Sequence, residues 1–84
     1  MAATRRFTVG PAWALIATGR NGGEIVDVQT DAPIVLAVTV GRRPFPPDLP
    51  AGTGHRVSGE DIIPLVATQH LWASASAPAQ VTVT

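Results

Sequence analysis

The stretch from Leu71 to Thr84 holds two short alternating segments, Leu71 to Ala75 and Gln80 to Thr84, joined by Ser76-Ala77-Pro78. Alternation with a period of two marks a strand that buries one face. The second segment runs to the last residue of the sequence, so the end of the chain is expected inside a sheet, without a C-terminal helix or tail. The Ser/Ala/Pro junction is expected to close the pair as a hairpin. Together they point to a small β-sandwich.

The remainder of the chain repeats the pattern. Arg5 to Val9 places Phe7 and Val9 on one face and stops at Gly10-Pro11. Ala12 to Ala17 follows, with Trp13 and Leu15 on one side and Ile16 on the other, although alanine-rich Pro11 to Ala17 also permits a single helical turn. The cluster Thr18 to Gly23 contains Asn21-Gly22, which supplies the positive φ angles of a tight hairpin. Glu24 to Gln29 sets Val26 and Val28 against Asp27 and Gln29, a half-buried strand. Thr30 to Pro33 is a short loop.

Ile34 to Val40 is the most apolar segment. Ile34, Leu36, Val38 and Val40 share one face; Val35, Ala37 and Thr39 share the other. Both faces are mostly apolar, so a central strand is expected, or one whose outer face meets a partner. Its β-branched content disfavours helix. Gly41 to Gly54 then carries Pro44, Pro46, Pro47 and Pro50, an extended loop stiffened by residues that cannot donate to a ladder. Loops of this length in compact domains are often functional. His55 to Ser58 is a short strand, Gly59-Glu60-Asp61 a turn, and Ile62 to Thr68, interrupted by Pro64, an edge strand.

No segment sustains the i, i+3, i+4 pattern of a helix. The expectation is therefore all-β: residues 1–84 as a single small antiparallel β-sandwich, jelly-roll-like, with seven or eight short strands.

Composition limits what such a domain can do. A domain of 84 residues buries only about 60–65% of its unfolded surface and has a thin stability margin. Chains of this size usually add disulfides, a metal or association. There is no cysteine, and the two histidines, His55 and His70, stand on different strands without a ligand cluster. Association is what remains, so a homo-oligomer or a part of a larger assembly is expected. Charged residues make up 14% and hydrophobic ones 45%, where about 25% charge is usual; partners covering apolar surface would account for the deficit. Six arginines balance six acids, and lysine is absent. That balance gives no basic stripe for nucleic acid. No apolar run approaches the ~20 residues that span a bilayer, and Met1 to Phe7 has no leader pattern.

Candidate chemistry is sparse. Asp27, Asp31, Glu60 and Asp61 lack the dense oxygen spacing of a calcium loop. Ser58 with His55 and Asp61, or Ser74 with His70, would supply a hydrolase relay, but neither serine has a nucleophile-elbow context. The Gly-rich turn at 18–23 leads into a strand, so no helix dipole stands behind it to hold phosphate. No catalytic residue, metal or cofactor is expected, and the chain is expected not to be an enzyme. Trp13 and Trp72 can stack on sugars if exposed, but each sits beside a leucine in a strand, where core or interface burial is favoured. Arg42, Arg43 and Phe45 combine residue types enriched at binding hot spots in a stiffened loop. With Trp72 they form the expected partner-binding set.

The order of elements resembles small tailed-phage virion proteins of the capsid-decoration, or cement, type. The likeness is carried by the apolar strand Ile34–Val40, the element Leu49-Pro50-Ala51-Gly52, the aromatic strand Leu71-Trp72-Ala73 and the strand Val81-Thr82-Val83. It covers roughly residues 24–84 and brings no catalytic residues. It implies a homo-oligomer, dimer or trimer, that binds the major capsid protein, with no nucleic-acid or membrane partner, and stabilises the shell. The protein would be assembled in the host cytoplasm and located in the virion. The alternative is a lectin-like or receptor-contacting sandwich module.

Overall fold

The computed structural model describes residues 4–20, 23–48 and 54–84. They form eight strands and no helix: β1 (Arg5–Val9), β2 (Ala14–Thr18), β3 (Glu24–Thr30), β4 (Ile34–Val40), β5 (His55–Val57), β6 (Glu60–Leu65), β7 (Gln69–Ser74) and β8 (Ala79–Val83). The first sheet has the order β1-β8-β3-β6 and the second β2-β7-β4-β5. Every pairing is antiparallel. Two four-stranded sheets wound in this order are a jelly roll, so the all-β sandwich expected from the sequence is the observed fold.

Period-two alternation decides which side chains fill the space between the sheets. From the first sheet come Val9, Val26, Val28, Leu65, Val81 and Val83; from the second come Ile16, Ile34, Leu36, Val57, Leu71 and Ala73. Each fully buried Leu or Ile contributes about 1.5–3 kcal/mol relative to an exposed one.

Two expected hairpins are absent as such. β7 belongs to the second sheet and β8 to the first, so Ala75 to Pro78 carries the chain across the sandwich. The same holds between β2 and β3, where Asn21-Gly22 lies outside the described residues. The reason is that β8 slots between β1 and β3, while β7 slots between β2 and β4. Of the seven connections, the one from β4 to β5 alone stays within a sheet.

Smaller differences have local causes. The register between β2 and β7 shifts between Leu15 and Ala17, and this bulge lets Ile16 enter the core. Glu60 and Asp61 are in β6 and not in a turn; Asp61 stands opposite Val28. Val38 and Val40 are on the core-facing side of β4 yet are exposed. β5 pairs only with Ile34 to Leu36, so it stops short of them.

Candidate functional site

The outer face of β7 was the first place to seek exposed aromatic chemistry, and it is buried. Trp72 is 6% exposed, its Nε1 donating to Thr39 Oγ1 on β4 at 2.9 Å. Trp72 is therefore covered within this chain, where it anchors β7 to β4 on the side of the sheet away from the core cluster. His70, 3% exposed, sits two residues away. Its Nε2 is 2.7 Å from the Gly41 carbonyl, which only accepts, so Nε2 carries the hydrogen. Nδ1 then accepts from the Thr18 hydroxyl at 3.1 Å. One imidazole thus joins the ends of β2, β7 and β4.

The three loop residues of the expected binding set are at the surface. Arg42 and Arg43 are exposed, and so is Phe45, at 66%. Nearby Pro47 is buried, which pins the loop beside them. The Leu49-Pro50-Ala51-Gly52 element lies outside the described residues.

Of the hydrolase groupings, the histidine and the acid of one are brought together. His55 Nε2 and Asp61 Oδ2 are 2.7 Å apart, linking β5 of one sheet to β6 of the other at the sandwich edge. Among the described residues, Ser58 makes no hydrogen bond to that imidazole. Asp61 also accepts from the Ile62 backbone N–H at 2.9 Å. These bonds, that from His55 foremost, hold its carboxyl below the usual aspartate value. Ser74, at 1% exposure, and His70 are both inside the fold. Among the described residues no three His, Asp or Glu side chains converge as a metal-binding group.

The outer face of the first sheet carries features that the sequence did not single out. Ile25 stands opposite Pro64, and Asp27 opposite Ile62. Ile25 is 73% exposed, Ile62 59%, and Val66, just past β6, 58%. These residues make an apolar strip along β3 and β6. Their alternation with Val26, Ile63 and Leu65 is visible in the sequence, but their shared surface follows only from the pairing of β3 with β6.

Beside the strip lies a carboxyl pair. Gln29 Nε2 donates to Glu60 Oε2 at 3.0 Å. This bond, and a second from Asp27, lower the Glu60 pKa, while burial first and then the Glu60 carboxylate raise that of Asp27. Asp27 Oδ1 is buried without a hydrogen-bond partner. That environment disfavours the charged form of Asp27.

A cleft of about 540 Å³ opens between the sheets where β1 begins and β2 ends. Phe7, Ile16, Val26 and Val83 line it, together with Arg5 and Arg20. Arg20 is 3.7 Å from Glu24.

No protein-family model matches this chain, and no curated protein or solved structure is significantly similar to it. Its surfaces therefore carry the functional argument.

Proposed function

We propose that this chain is a non-enzymatic structural protein of a tailed-phage virion, binding the major capsid protein as an oligomeric decoration protein and stabilising the shell. The observation that carries this reading is the uncovered apolar strip of Ile25, Ile62, Pro64 and Val66 on an otherwise polar sheet face. Small soluble domains seldom leave contiguous apolar surface open unless something covers it. The low charge of the chain and its lack of cysteine favour stabilisation by contact with neighbours. Jelly rolls recur in viral shells, and the resemblance noted for residues 24–84 points the same way. The exposed Arg42, Arg43 and Phe45 supply a second contact.

A lectin-like module has less support, because Trp72 is spent inside the fold and Phe45 alone of that aromatic set is largely exposed.

Co-sedimentation is the test. The purified protein is mixed with undecorated heads of the phage whose genome encodes it, and its mass is measured in parallel by light scattering. Binding that is lost in an Ile25→Asp, Ile62→Asp double variant supports the reading. A monodisperse monomer that never sediments with heads overturns it.

A further inference from the structure

Jelly rolls leave four sheet edges, and here three are closed to pairing. Of the two strands that end the second sheet, β5 has three residues and β2 is bulged between Leu15 and Ala17. In the first sheet, the bond from Thr30 N to Gly59 O sets the alternation with which β3 bonds β6. Ile63 and Asp61 then face β3, so Ile62 and Pro64 direct their backbone outward, and Pro64 has no N–H to give. Short, bulged and proline-bearing edges are the usual protections against strand addition.

β1 has none of these. Asp27 and Thr84 exchange both backbone hydrogen bonds, at 3.0 and 2.9 Å. Alternation along β8 therefore turns Val83, Val81 and Ala79 toward β1, where they stand opposite Arg5, Phe7 and Val9. The N–H and C=O groups of Arg6 and Thr8 point away from the sheet, and among the described residues no strand lies beyond β1.

The side chains along that edge are specific in kind. Phe7 and Arg5 line the cleft, whereas Arg6 is on the outer face with Thr8. Glu24 in the cleft already has Arg20. Among the described residues neither Arg5 nor Arg6 has a salt-bridge partner. A second copy of β1 would fit poorly, since antiparallel pairing about Phe7 makes the two Arg6 side chains diagonal neighbours of like charge.

We propose that β1 is a docking edge on which an extended acidic segment of a partner polypeptide adds as a fifth, antiparallel strand. Main-chain bonds to Arg6 and Thr8 supply the pairing, and alternate pockets supply selectivity. The partner residue opposite Phe7 enters the cleft and is apolar. Those opposite Arg6 and Arg5 are carboxylates, one on each face. This edge is separate from the apolar strip on β3 and β6, and it can be probed without a capsid.

A labelled peptide, Ile-Thr-Val-Glu-Glu, matches the sequence Arg5–Val9 in antiparallel register, and fluorescence anisotropy with the full chain measures its binding. The expected result is binding that weakens with salt, and at least tenfold less binding when both Glu are replaced by Lys. Thr8→Pro, which removes an outward N–H, should weaken binding about tenfold, the worth of about 1.4 kcal/mol, with its circular dichroism unchanged. Should that variant misfold, Arg6→Glu decides, by moving the preference toward the Lys peptide. Hydrogen exchange should show the Arg6 and Thr8 amides gaining protection when the peptide is added. Equal binding of both peptides, full binding by folded Thr8→Pro, or no binding overturns the proposal. So does protection of those amides that rises with protein concentration alone, which would put a second copy on the edge.

Discussion

Trp72 donates its indole N–H to the hydroxyl of Thr39 at 2.9 Å, across the β7–β4 pairing. The contact joins the two central strands of the second sheet on the side away from the core. It also turns one of the chain's two tryptophans into a brace. Trp72→Ala is expected to cost about 3–5 kcal/mol. Thr39→Val, which removes only the acceptor, should cost about 1 kcal/mol. Urea unfolding followed by circular dichroism measures both, and equal losses would contradict this division of roles.

His70 is expected to matter through its two ring nitrogens and not through volume alone. His70→Leu leaves the Gly41 carbonyl and the Thr18 hydroxyl without their buried partner. A loss of about 1–3 kcal/mol follows for a stranded polar group. Thermal melts of His70→Leu beside Thr18→Val test this, since the second variant breaks only the weaker contact.

Gly19 and Gly10 make a matched pair for backbone packing. A Cβ at Gly19 would collide with the Val66 carbonyl, whereas one at Gly10 meets nothing. Gly19→Ala should destabilise by about 1–3 kcal/mol through forced backbone movement. Gly10→Ala should leave the midpoint of chemical unfolding nearly unchanged.

Acid should act on the first sheet in two opposite ways. Asp61 is held below its ordinary value of 3.8; its contribution is complete above that value and is lost as pH falls through the lower, folded one. Asp27 is raised above 3.8, so the stability it adds is present in acid and is lost as pH rises through the raised value. Asp27→Asn keeps a donor toward Glu60 without the charge. It should raise the melting temperature at pH 7, and this gain should vanish below about pH 4, the ordinary aspartate range. An unchanged difference across that range would remove Asp27 from the account.

Strands and faces were legible in the sequence because both follow from local alternation. β4 coincides with the expected Ile34–Val40, and the strand interrupted by Pro64 is indeed an edge. Partners were not legible. Ser76-Ala77-Pro78 satisfies a hairpin and a crossing arch equally well, and only the long-range insertion of β8 between β1 and β3 selects the arch. Position along a strand escaped for the same reason: Val38 and Val40 share a face with buried Leu36, but their exposure depends on how much of β4 the facing sheet covers. The apolar strip was hidden because Ile25 and Ile62 acquire a common surface only once β3 pairs with β6.

The place of β8 also sets the order in which this molecule can come into being. β1 and β3 flank a gap that stays empty until residues Ala79–Val83 have been synthesised. Before then only the β3–β6 part of the first sheet can pair and β1 has no neighbour, while most connections join strands that never pair with each other. Completion of the first sheet awaits β8, and folding is dominated by distant closures, which are slow. Until then its strand edges are available to other chains. A truncation that removes β8 would leave β1 unpaired and reduce the first sheet to the β3–β6 pair, a product for proteases or aggregation.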